Sequence, residues 1–214
     1  MKYRKIYILE ENHMDMVTKA MQLDAIDKKI ITLFAKDSTI SQDVIAKEVE
    51  LTQPSVAVRI RKLREKGAIQ TLTGINPLKM GLYIAKVDVT TNNSTPILEM
   101  FRECPYFAHG FTVSGKYNLC LFFMSENIAA LEALVNNHLR SHGSVTDLNF
   151  NIIINSEKDF VIPTILTSGN PDFPPCGTHE SCTDCSSFKN NRCDGCPAVS
   201  KYQGWLTDQH LKKS

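Results

Sequence analysis

Apolar residues recur every three to four positions between Leu23 and Leu63 and every second position from Ala85, and the change falls near Asn76-Pro77. One element cannot satisfy both patterns, because side chains return to the same helix face about every 3.6 residues and to the same strand face about every 2. The chain must therefore fold as a helical unit followed by a mixed α and β unit. With 43% hydrophobic residues in 214, two small cores are within reach.

The helical unit reads as three short helices. Leu23, Ile26, Ile30, Leu33 and Phe34 form one stripe, which Asp37-Ser38 ends; Ser41 caps a second helix with Val44, Ile45 and Val49 as its apolar face. A third helix spans 52 to 66, with Thr52 as its cap, Pro54 in its first turn, Gly67 closing it, and Val56, Ile60 and Leu63 facing inward. Ile69 to Ile75 reads as a wing or a connecting strand. Residues 1 to 22 form an N-terminal extension with no assigned element.

From residue 77 to 160 the order is strand, helix (Pro96 to about Cys104), strands near 107 to 114 and 117 to 124, helix (Asn127 to Arg140), and a strand from Val145. This βαββαβ order places both helices on one side of an antiparallel sheet, an α+β sandwich of ferredoxin-like type. Strand 117 to 124 is apolar on both faces, Leu119, Leu121 and Phe123 against Cys120, Phe122 and Met124, so a second subunit is expected to cover the outer one. Residues 161 to 175, rich in Pro, read as a linker to a cysteine-rich module at 176 to 214.

A net charge of +1 gives no overall attraction to a polyanion, so nucleic-acid affinity would have to come from a local cluster. The third helix carries one: Arg59, Arg61, Lys62 and Arg64 lie on or beside its outer faces, and Gln53 and Ser55 stand at its entry, where base edges are usually met. No apolar run approaches the roughly 18 residues of a membrane span, so a cytoplasmic protein is expected.

The stretch "LDAIDKKIITLFAKDSTISQDVIAKEVELTQPSVAVRIRKLREKGAIQTLTGINPLKMGL" resembles the winged helix-turn-helix of Lrp/AsnC transcription regulators, most specifically in "SVAVRIRKLREKGAI". "FTVSGKYNLCLFF" resembles the central hairpin of that family's effector-binding and oligomerisation domain. The resemblance implies double-stranded DNA as partner, a homodimer or higher even-numbered oligomer, and a small effector at the turn of Ser114, Gly115 and Asn118. Ser114 stands for the usual Thr and Asn118 where an Asp is common, which removes a carboxylate from any amino-acid site. The same hairpin is similar to siroheme decarboxylases, an enzyme alternative in which His109 would be the acid or tetrapyrrole contact. Val113 stands there where an Arg would hold a propionate, and a basic recognition helix has no use in such an enzyme, so a non-enzyme is expected.

Five of the seven cysteines follow Cys176-x5-Cys182-x2-Cys185-x7-Cys193-x2-Cys196, with His179 in the first gap. Each Cys-x-x-Cys places two sulfurs on one metal centre, and four thiolates complete a zinc site or the corners of an iron–sulfur cluster. Only seven residues separate the pairs, fewer than usual for zinc, and the spacing with its terminal Cys-Pro resembles iron–sulfur proteins. A [4Fe–4S] cluster is therefore placed ahead of zinc, with one thiol left over or exchanging. Such a site would make DNA affinity depend on redox, oxygen or metal state; the alternative is a partner-docking module beside vestigial DNA binding. Cys104 and Cys120 read as small core residues.

Overall fold

The computed structural model describes residues 21–164, 166, 174–176 and 182–207; residues 1–20 of the N-terminal extension, most of the linker and His179 lie outside them. The chain divides into two compact units, Met1–Thr71 and Leu72–Ser214.

In the first unit α1 (Ala25–Lys36) is capped by Asp24, whose carboxylate accepts the Asp27 amide at 2.7 Å. Ser41 caps α2 (Gln42–Glu48) by accepting from the Val44 amide at 3.3 Å. Val44 itself is 46% exposed, and Ala46, one helical step nearer the core, is buried with Ile45 and Val49 instead. Thr52 occupies the cap position of α3 (Gln53–Glu65), but its hydroxyl pairs with that of Ser55 at 2.8 Å rather than with an amide. Val56, Ile60 and Leu63 are buried against Ile30, Ile45 and Val49 as the stripe requires. Gly67 takes the left-handed conformation that ends the helix, φ +72°. Segment 69–75, expected as a wing or strand, pairs only at its end, where Ile75 bridges Ile162 within the second unit.

The second unit holds a four-stranded antiparallel sheet of order β2-β3-β1-β4: β1 (Tyr83–Thr91), β2 (Phe107–Thr112), β3 (Leu119–Ser125) and β4 (Val145–Ile153). Alternation buries Ala85, Val87 and Val89 of β1 with Leu119, Leu121 and Phe123 of β3. Two helices cover this face: α4 (Thr95–Phe101), through Ile97 and Phe101, and α5 (Ile128–Leu134), through Leu131 and Leu134. Asn127 caps α5, accepting from the Ala130 amide at 2.6 Å, and the helix continues as a wider π-helical turn, Val135–Arg140. The opposite sheet face carries Lys86, Asp88, Cys120 and Phe122, with the rings of His109, Phe111 and Phe160 beside them. Met124 was expected on this outer face. Regular register keeps it there, opposite Ile84 as Phe122 is opposite Lys86, and it is buried at 1% exposure.

Among its described residues the C-terminal segment carries one short helix, α6 (Ser186–Lys189), and it does not stand apart as its Pro-rich lead-in implied. Tyr202 and Leu206 are buried in the same core as Phe101 and Leu131, and Ile162, at the start of the supposed linker, joins them. Trp205, beside them in sequence, is 54% exposed. Glu126, just ahead of α5, accepts the Leu206 amide at 2.9 Å. Removing a buried Leu side chain costs about 2–5 kcal/mol. Leu206→Ala should therefore lower the stability of the whole second unit by that amount in urea titration monitored by sheet circular dichroism; an unchanged midpoint would mean that the segment is only appended to the sheet domain.

Candidate nucleic-acid interface and cysteine cavity

The α3 face opposite its buried stripe presents Gln53, Ser55, Arg61, Lys62 and Arg64 to solvent. The predicted cations are not equivalent. Arg59 forms ion pairs with Asp24 at 2.7 Å and Asp27 at 2.8 Å, which raises its pKa further, first through Asp24. Arg59 thus ties α3 to the N-terminus of α1, whose partial positive charge these carboxylates also neutralise. Arg61 lies 4.0 Å from Glu65, a loose pair with both side chains about two-thirds exposed, and Arg64 sits over the Phe34 ring at 5.8 Å. Neither arrangement consumes the charge, so Arg61, Lys62 and Arg64 form an accessible basic edge. Gln53 reaches Gln42 of α2 at 3.2 Å, which holds the helix entry against its neighbour.

At the hairpin Gly115 adopts φ +117°, which a side chain would strain, and a Cβ there would meet nothing. Ser114 is exposed. The Asn118 amide is engaged: its oxygen accepts from the Thr91 N–H at 2.9 Å and its nitrogen donates to the Thr91 carbonyl at 2.7 Å. An Asn here supplies a donor as well as an acceptor, and the side chain locks the turn to β1. His109 stacks on Phe111 at 4.3 Å and lies exposed on the outer sheet face; Val113 is 39% exposed.

The third constellation is in the second unit. Cys176, Cys182, Cys185, Cys193 and Cys196 line a single cavity of about 390 Å³. Its opposite wall comes from the sheet domain: Cys104 after α4, Tyr106, Ala130, and Asn137 and His138 of the π-helical turn. The Cys193–Cys196 turn closes because Gly195 takes φ +91°, where a Cβ would also press on the Phe188 ring at 3.2 Å. The Gly195 carbonyl accepts from the Tyr106 hydroxyl at 3.1 Å, fixing this turn to the sheet domain. His138 Nε2 is 3.1 Å from the Cys176 sulfur, and Asn137 donates toward the Cys185 sulfur at 3.6 Å.

Burial pushes the Cys193 thiol up to about 11 and the Cys196 thiol up to about 12, and raises Cys104 as well. Without a cation these sulfurs hold their protons near neutrality, so loading a metal must release them. Among the described residues no three His, Cys, Asp or Glu side chains gather tightly enough to hold one ion. The sulfurs instead surround an open space. Sequence spacing missed three members of this wall, Cys104, Asn137 and His138. Nothing in their local pattern marks them; only the packing of the C-terminal segment onto α5 brings them to the sulfurs.

Residues 23–70 match the family model of winged helix-turn-helix DNA-binding domains. The transcriptional regulator FL11 of Pyrococcus horikoshii is 30% identical over 127 residues, 58% of this chain and 82% of the relative. The structure of Bacillus subtilis LrpC superposes with a TM-score of 0.55 at 25% identity, covering 64% of this chain and 99% of that one. Escherichia coli AsnC shares the fold, with a TM-score of 0.57 over 66% of this chain and 99% of its own at 14% identity. Each match leaves about a third or more of this chain uncovered. Among the described residues no helix is long and apolar enough to cross a membrane. A helix-turn-helix with an accessible basic edge, followed by the βαββαβ sheet domain over nearly the full length of such relatives, places this chain in the Lrp/AsnC family of DNA-binding transcription regulators.

Proposed function

We propose that this regulator reads DNA with α3 and that a metal centre in the cysteine cavity sets its affinity. Gln53 and Ser55 meet base edges, while Arg61, Lys62 and Arg64 neutralise phosphates; Arg59 serves to hold α1 against α3. Two chains pair through the sheet face bearing Phe122, giving two recognition helices for a site of roughly two-fold symmetry. Ser114 and Gly115 are the groups of the hairpin left to meet a small effector, with Asn118 shaping the turn beneath them.

The observation that carries the metal reading is convergence: five cysteines spread over 21 residues of sequence open on one cavity. The seven-residue gap between the two Cys-x-x-Cys pairs, short for zinc, and the terminal Cys-Pro favour a [4Fe–4S] cluster, with zinc the alternative. The cluster would supply a charge that changes with one electron, and a bond set that oxygen can dismantle. The thiols hold it, and the surrounding apolar wall limits water.

Two experiments test the DNA and assembly parts. Replacing Arg61 and Lys62 together with Ala should leave the melting temperature unchanged and weaken binding to every DNA sequence. The slope of log affinity against log salt should fall by about 0.9 for each phosphate that is no longer neutralised. Arg59→Ala should instead lower the melting temperature of the first unit. An unchanged slope in the double variant would refute the phosphate assignment.

Phe122→Asp would place a carboxylate within the proposed sheet-to-sheet contact, at a cost of several kcal/mol. By sedimentation the variant should run as a monomer where the parent is a dimer or larger. Equal sedimentation would remove Phe122 from the interface.

A further inference from the structure

His138 lies outside every motif in the sequence, yet both its ring nitrogens are committed. Nδ1 lies 3.0 Å from the Leu134 carbonyl, which only accepts, so Nδ1 carries the proton. In the neutral ring this leaves the lone pair on Nε2, which lies 3.1 Å from the Cys176 sulfur at the wall of the cavity. A ring nitrogen that donates to a backbone carbonyl while its partner faces sulfur donors is the arrangement of a metal-bound histidine, whose outer hydrogen bond fixes tautomer and orientation. The ring is further held by Phe101, whose centroid is 5.9 Å away, and the π-helical turn that presents it is a form found often at functional sites.

We infer that His138 is a nitrogen ligand of the metal centre, so that the site is shared between the sheet domain and the cysteine segment. This rests on the reading of the cavity as a metal site. On a four-iron cluster the protein ligands sit on separate irons, so Cys176, 3.1 Å from Nε2, is too close to hold a corner beside His138: His138 takes one corner and three of Cys182, Cys185, Cys193 and Cys196 take the others. Of these thiols, Cys185 already receives the Asn137 amide. A neutral ligand replacing a thiolate makes the cluster one charge less negative, and such clusters are reduced at higher potential.

The test uses the full chain, prepared without air and loaded with ferrous iron and sulfide. Pulsed electron paramagnetic resonance on the reduced protein should show a strongly coupled nitrogen that responds to ¹⁵N-histidine labelling. His138→Gln should lose that coupling and release iron to a chelator more readily, beyond the roughly 10–100-fold that removal of an outer-shell partner causes. His179→Gln should keep the coupling, which supports the assignment even if the His138 variant folds poorly. Loaded wild-type protein without a histidine coupling, or a coupling absent in His179→Gln or retained in His138→Gln, overturns the ligand assignment alone. A wild-type chain that takes up no iron and no zinc overturns the metal reading with it.

Discussion

The seam between α5 with its π-helical end and the C-terminal cysteine segment is the contact on which the second unit depends. Glu126 accepts the Leu206 amide, Asn127 reaches Asp194 while capping α5, Tyr106 donates to the Gly195 carbonyl, and Tyr202 and Leu206 fill the core beneath. Each partner on the segment lies within a few residues of Cys193 or Cys196, or on the chain immediately after them. The sulfurs are therefore positioned by the sheet domain's own core. Buried groups at native packing density do not shift singly, so a change in sulfur chemistry on one side of this seam is felt as repacking on the other.

The first unit follows a different logic. Its core is small, and Arg59 links α3 to α1 through two carboxylates, leaving the remaining cations for an anionic partner. Within one helix, then, like residues divide between holding the domain together and facing solvent. Exposed pairs of the Arg61–Glu65 kind contribute little to stability, which leaves such side chains available for phosphates.

Much of this was legible in the sequence where periodicity and local chemistry decide the outcome. The stripe Val56, Ile60 and Leu63, the Ser41 cap, the βαββαβ order and the alternation of Ala85, Val87 and Val89 all depend on neighbours within a turn or a strand. The readings that changed depended on contacts distant in the chain. Thr52 found Ser55 instead of an amide, and Tyr202 and Leu206 entered a core that includes residues more than 60 positions earlier in sequence. The five cysteines were visible from spacing, but the wall they face was not. His138 and Asn137 look like ordinary polar residues of an amphipathic helix until the C-terminal segment is folded against them.

If the chemical state of the cysteine cavity governs DNA binding, the direct measurement is an anaerobic DNA titration of the same protein with and without its metal. Allosteric coupling of about 1–3 kcal/mol, roughly 5- to 150-fold in affinity, is the expected range. A difference of that size is predicted between loaded and metal-free protein, together with its disappearance in Cys182→Ser. Equal affinities in both states, with metal loading confirmed by iron analysis, would contradict it.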